Sequence, residues 1–297
     1  MKLSALVLGM LIVSNVALAE TPDYQTKPLR LSGPYLGQKL PGDTPVVFAP
    51  GYVSREHRDN SGFFSPDLKT FYFTRKYKNS DKWSLVSFKV TENIWHESVV
   101  MERIGRPLIS PDGQTMHLGN KYMTLNGEAA EPEWSTVKSL GKDFEQFRVM
   151  RLTSSLDGLY VLDEVGPGGT GLLRYSELVD GKRQTPKPFG KEINTGQWNA
   201  HPFLAADGSY LIWDGERESG QGDGDLYISF RLPNGKWSEA LNMGDSINTE
   251  ASESGAYVTP DGKYLFFNRN MNHPQNYDNI DIFWVSAKII NKLRESL

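Results

Sequence analysis

The sequence contains no cysteine, and that absence removes disulfides, thiolate metal sites and cysteine nucleophiles together. It has no apolar run of the ~20 residues that a membrane-spanning helix needs. Charge of one sign is not in excess either. Lys and Arg number 32 against 36 Asp and Glu, giving a net charge of −4 with both signs scattered, so nucleic acid and anionic membranes are not the expected partners. Several catalytic signatures are missing as well. There is no Gly-x-Ser-x-Gly and no P-loop, and Val100 stands where the second histidine of a zinc-protease motif would follow His96-Glu97.

The first 19 residues read as a targeting segment. Lys2 precedes an apolar stretch from Leu3 to Val13, and Ala17-Leu18-Ala19 supplies a small-x-small cleavage site before Glu20. Cleavage there leaves no cysteine to carry a lipid and no anchor in the membrane. The expected location is therefore the periplasm or the medium of a bacterium. Residues 20–44, rich in Pro, Gly and polar side chains, read as a leader over the rest, and residues 45–297 as one domain.

What the chain does have is aromatic residues (7 Trp, 13 Tyr, 14 Phe) and a repeat. Turns built on Asp67, Asp112, Asp157, Asp207 and Asp261 follow one another at steps of 45, 45, 50 and 54 residues, near the ~40 to 50 residue period of propeller blades. Thr259-Pro260-Asp261-Gly262 is the clearest copy. It fits a type I turn whose fourth residue is left-handed, and Leu68 is the one residue that replaces glycine there. Each turn leads into an apolar run, such as Phe71-Tyr72-Phe73 or Leu265-Phe266-Phe267, that suits a strand covered on both faces. Ile193-Asn194-Thr195 and Ile247-Asn248-Thr249 recur at one distance before their turns, with Val53-Ser54-Arg55 at the same place in the first repeat. Val46 to Phe48 has no repeat of its own, and the chain ends after the third strand of the last one. These facts predict an all-β propeller of five four-stranded antiparallel blades, its ring closed by the N-terminal strand. Gly127 to Phe147 leaves room for a degenerate sixth. Ile289, Ile290, Leu293 and Leu297 lie at helical spacing and predict a short amphipathic helix docked on the rim.

The Ser-Pro-Asp-Gly turns, Arg75 and Arg269 after second strands, and Asp225-Leu226-Tyr227 and Asp281-Ile282-Phe283 at third strands together resemble the WD40-like (PD40) repeat of TolB-type periplasmic propellers. The resemblance covers about Pro45 to Ile290. It implies the propeller fold and an envelope location, without the α/β domain that precedes the propeller in TolB.

The loops opposite the Asp turns gather the candidate site. Six positions before each turn aspartate stand Ser61, Arg106, Arg151, His201 and Gly255, expected near the channel mouth. Arg106, Arg151, His201, Arg217 and Glu253 are the candidate ligand-binding residues, for an envelope protein or a glycan, with no catalysis and no cofactor. The alternative is an extracellular carbohydrate hydrolase, for which Asp59, Glu216 and Glu253 would supply paired carboxylates. Asp223 and Asp225 are a weak candidate for Ca2+, since an EF-hand loop's further oxygen ligands are missing. The sequence does not set the oligomeric state.

Overall fold

The computed structural model describes residues 31–55, 57–127, 133–271 and 280–297. The targeting segment, the start of the leader, Glu56, the acidic pair Glu128 and Glu131, and His273 lie outside the described residues. Five antiparallel blade sheets follow one another along the chain, and a separate two-stranded sheet pairs Leu178–Val179 with Lys182–Arg183. Blade 1 is Arg58–Phe64, Thr70–Lys76, Trp83–Thr91 and Ile94–Glu102. Blade 2 is Leu108–Ile109, Thr115–Leu118 and Lys121–Asn126, edged by Glu133–Trp134 and Lys138–Ser139. Blade 3 is Leu152–Ser154, Tyr160–Val165, Gly171–Ser176 and Lys187–Pro188. Blade 4 is Trp198–Leu204, Tyr210–Glu216, Asp225–Phe230 and Leu241–Asn242. Blade 5 is Ser252–Val258, Tyr264–Asn270 and Ile280–Ser286, completed by Val46–Val47 from the other end of the chain. The stretch that left room for a sixth blade instead supplies the outer pieces of blade 2 and a helical turn at Lys142–Glu145.

Ring closure follows the sequence expectation. Val46 pairs with Trp284 and Val47 with Phe283, and the Phe48 N–H donates to the Ile282 carbonyl at 2.8 Å. Phe48 then enters the main core. Its ring lies 4.8 to 5.1 Å from those of Phe71, Phe266 and Trp284, so the closing strand is held by packing as well as by its short ladder. Residues 34–37 of the leader cap the same cluster. Tyr35 meets Tyr264 edge-on, and its hydroxyl donates to Asp261 at 2.5 Å.

The turns explain why Asp recurs. In all five, the fourth residue's N–H donates to the first residue's carbonyl, and that fourth residue is left-handed, including Leu68 at φ 59°. The Asp Oδ1 accepts the N–H two residues on, and the Ser or Thr at the first position donates to it where one is present. The third turn is one residue tighter. Ser155 N–H reaches Leu159, whereas its counterparts reach the fifth residue on, as Ser65 reaches Thr70.

The recurring tripeptide proves to be a latch between blades. Asn194 accepts the Leu173 N–H and donates to the Leu173 carbonyl, and Asn248 does the same with Leu226. Each ties the entry of one blade to the third strand of the blade before it. An arginine holds the residue just ahead of the latch. Arg269 donates to the Ile247 carbonyl, Arg217 to Ile193 and Arg75 to Val53, which confirms the alignment of Val53-Ser54-Arg55 with the two Ile-Asn-Thr copies. At the C-terminus, Lys288–Glu295 forms the helix. Ile290 is buried, and Ile289 and Leu293 pack on the core, but Leu297 lies beyond the last turn and is 59 % exposed. Among the described residues, no helix is long and apolar enough to cross a membrane.

Candidate functional site

The five positions six before each turn aspartate do meet along the central channel. In blades 1, 4 and 5 the inner strand bulges there, between Asn60 and Phe63, Ala200 and Phe203, and Ser254 and Tyr257. Ser61, His201 and Gly255 consequently take φ values of 57°, 48° and 65°. Each bulge aims its N–H sideways at the preceding blade's second strand. Asn268 accepts from Ser61 at 2.8 Å, Asp163 from His201 at 2.9 Å and Asp214 from Gly255 at 3.0 Å. Left-handed backbone costs a non-glycine residue ~1 kcal/mol, and this belt of charged and amide acceptors offsets it.

Blades 2 and 3 fill the channel that the other three line. Arg151 is fully buried and carries its guanidinium across to the carbonyls of Ala256 at 2.8 Å and His201 at 3.4 Å. Arg106 reaches back to the Ser61 hydroxyl. Burial, with Arg106 nearby, pushes Arg151 down to about 10, against the pull of Asp214 and Asp163, so it stays charged at neutral pH. His201 Nδ1 lies 2.9 Å from Asp214. Burial and Arg106 hold the His201 ring below its ordinary value despite Asp214. Burial raises Asp214, but His201, the Gly255 N–H and Arg106 outweigh it and keep the group below the usual carboxylate range. The pair is therefore an aspartate accepting from a neutral imidazole. Nδ1 carries the proton, and buried Nε2 has no partner.

The remaining candidates sit away from this cluster. Asp59 and Glu253 occupy equivalent places on blades 1 and 5, both fully buried, and each accepts from an arginine Nε at 2.7 Å, from Arg75 and Arg269 respectively. Burial pushes Asp59 up to about 6 against the pull of Arg75; burial likewise raises Glu253, opposed by Thr249 and Arg269. Glu216 ends the second strand of blade 4 on the exposed side. Arg217 lays its guanidinium over the Tyr227 ring, 4.1 Å from its centroid. Asp225 is occupied by its own loop, accepting from the Gln221 and Gly222 N–H groups and from Asn242. Among the described residues, no group of three or more His, Asp or Glu is placed to hold a metal ion.

A feature that sequence reasoning missed lies on the turn face, at the other end of the channel. A cavity of about 540 Å³ opens there, and every blade contributes to its wall: Phe64 from blade 1, Leu108 from blade 2, Leu156 from blade 3, Phe203 from blade 4 and Tyr257 from blade 5. The Tyr257 hydroxyl bonds across to the Phe64 carbonyl at 3.0 Å. Serine and threonine hydroxyls at Ser110, Thr153 and Thr259 add polar points to a mostly apolar wall. The signal was present in the sequence. The residues just before each turn aspartate are apolar, proline or hydroxyl-bearing in all five repeats, and turns at one end of a ring of blades converge.

No family model matches the chain, and no curated protein matches it. Solved structures similar to it include TolB from Acinetobacter baumannii, at 16 % identity and TM-score 0.43, covering 77 % of this chain and 54 % of that one. Others are an endo-1,4-beta-xylanase from Bacteroides thetaiotaomicron, at 11 % identity and TM-score 0.45 over 78 % and 91 % of the two chains, and a thermostable family-43 glycoside hydrolase, at 10 % and 0.43 over 76 % and 88 %. The chain thus spans about half the length of the TolB structure. The propeller rests on its own five ladders, and none of these likenesses speaks to activity.

Proposed function

We propose that this propeller is a non-enzymatic binding module for an envelope protein or glycan, working outside the cytoplasm, with the turn-face well as its ligand seat. One observation carries the reading: a single concave, mostly apolar cavity receives side chains from all five blades. The channel behind it is filled by Arg106 and Arg151, so the well has a floor. In this reading His201 and Arg151 act from behind the seat, while Arg217 and Glu253 brace the opposite face. Hydrolysis is the weaker reading, because Asp59 and Glu253 are both buried and each is committed to an arginine.

The test turns on Leu156, which stands at the rim 66 % exposed, so that a charge there disturbs the seat and not the fold. Leu156→Arg is expected to abolish capture of envelope proteins and of arrayed glycans that the unaltered protein retains, with the melting temperature unchanged. Capture that survives Leu156→Arg but fails in Arg217→Ala moves the ligand to the other face. Release of reducing sugar from any captured glycan overturns the non-enzymatic reading.

A further inference from the structure

The outer parts of blades 3 and 4 enclose a second cavity. Beyond Asp225–Phe230 the chain folds into a small hairpin, in which Arg231 and Trp237 form an antiparallel bridge. The Leu232 N–H donates to the Lys236 carbonyl at 2.8 Å, and the Gly235 N–H returns to the Leu232 carbonyl at 2.8 Å, with Gly235 left-handed at φ 78°. Asn234 fixes the same turn by accepting the Lys236 N–H. The hairpin leans on blade 3. The Trp237 ring meets Phe189 edge-on at 6.0 Å, and Phe189 lies 4.9 Å from Tyr175. Between them remains a cleft of about 480 Å³ that shares no lining residue with the turn-face well. Its size falls in the ~300–1,000 Å³ range of small-ligand sites.

The polar groups of the two cavities differ. In the well, Ser110 and Thr259 each donate to their own turn aspartate and accept the N–H five residues on, and Thr153 accepts the Leu204 N–H. The fold has taken those hydroxyls for itself. In the cleft, the Tyr175 hydroxyl, the Trp237 indole N–H and the exposed carboxylates of Glu177 and Glu239 make no side-chain hydrogen bond among the described residues. Tyr175 and Trp237 are only half-buried. The Arg231 guanidinium lies over the Trp237 ring, 5.8 Å from its centroid, and Lys236 stands exposed beside it. The wall therefore offers aromatic surface, acceptors and donors together. Its two acids and two bases leave it without an excess of either sign, so an ion of either charge meets a like charge there. A neutral ligand rich in hydroxyls uses every group: its O–H donates to a carboxylate, its oxygen accepts from Arg231, Lys236 or the indole, and its C–H face packs on an aromatic ring. We propose that this cleft is a seat for a short neutral saccharide, separate from the turn-face well, with Trp237 as the ring on which the sugar packs and Glu177 and Glu239 as acceptors for its hydroxyls.

The Trp237 indole N–H reports on the seat directly. Its resonance, assigned by its disappearance in Trp237→Phe, is expected to shift saturably in isotope-labelled protein when at least one member of a panel of neutral disaccharides and trisaccharides of glucose, galactose, mannose and N-acetylglucosamine is titrated in. A cleft this open holds one short sugar at about 1 mM, so titration reads it, and it adds nothing to what capture after washing retains. Glu239→Ala is expected to weaken that sugar about tenfold with the melting temperature unchanged, since the side chain is exposed. Leu156→Arg is expected to leave the titration as it was, which separates this seat from the well. No shift with any member of the panel overturns the proposal, as does affinity undiminished in Glu239→Ala. A shift that Leu156→Arg abolishes overturns it too and returns the sugar to the well. Tetramethylammonium or acetate moving the resonance as far as the best sugar makes the cleft an ion site and likewise overturns it.

Discussion

In blades 1, 4 and 5 the inner strand kinks at Ser61, His201 and Gly255, and the backbone itself faces the channel, tied to a neighbour's Asn268, Asp163 or Asp214. In blades 2 and 3 the inner strands are only two and three residues long, without a bulge, and Arg106 and Arg151 extend across the gap instead. One group of blades builds the wall of the channel and the other fills it. The difference shows that irregular repeats here are not merely decayed copies. A ring of five blades leaves a channel narrow enough for one long side chain to cross, and Arg151 crosses it from blade 3 to blade 5.

Removing the filler is the strongest way to break this contrast. Arg151→Ala is expected to destabilise by ~3 kcal/mol or more, because it leaves Asp163 and Asp214 buried with less compensating charge and the Ala256 carbonyl without its donor. Urea denaturation measures it, and a loss below ~1 kcal/mol would mean that the channel does not depend on the arginine.

A smaller effect concerns His117 on blade 2, which is fully buried against Tyr160 and Ser154. Burial, with Arg183 nearby, pushes its pKa down to about 3. The unfolded chain therefore binds the proton first. The stability that His117 contributes is complete above the unfolded value of ~6.5 and is lost as pH falls towards 3, at ~1.4 kcal/mol per pH unit. His201 shifts in the same direction. Asp59, raised to about 6, runs the other way, since there the folded state takes up the proton first. The informative quantity is thus a difference between proteins. Between pH 6 and 4, His117→Gln is expected to lose stability less steeply than the parent, by about one proton's worth of slope; parallel curves would place the titration elsewhere.

The smallest effect sharpens the regular side of the comparison. Leu68 is left-handed at φ 59° where its four counterparts are glycine, so Leu68→Gly is expected to relieve up to ~1 kcal/mol of strain. Partial packing of the leucine on the core offsets some of that gain. A net loss in thermal unfolding would show that the packing outweighs the strain.

Much of the fold was legible because its signals are local. A Pro-Asp-Gly turn fixes its own geometry, and Val46 to Phe48 could be assigned to the last blade by counting strands. The tripeptide was visible as a repeat, but its meaning was not, since Asn248 acts on Leu226 in the blade before it. The candidate site was legible in register only. Arg106, Arg151 and His201 do share the channel, yet whether such side chains face solvent or one another depends on how far apart the blades stand. One signal was overlooked. Asp59 with Arg75 and Glu253 with Arg269 are both 16 residues apart, and a recurring acid-to-arginine spacing of that kind reads as an ion pair across two strands and not as a free carboxylate.

The closing strand also sets an order of assembly. Val46 and Val47 are the first part of the ring to be synthesised, and they pair with Trp284 and Phe283 across about 240 residues of chain. Until that contact forms, the third strand of blade 5 keeps a bare edge and Phe48 lacks the Phe266 and Trp284 half of its aromatic cluster. Loop closure over such a span is slow, so the half-made ring has a lifetime during which its two ends are its most adhesive parts. Folding of this propeller is then a race between its own termini meeting and either one meeting another chain, and the ring's last bond decides the outcome.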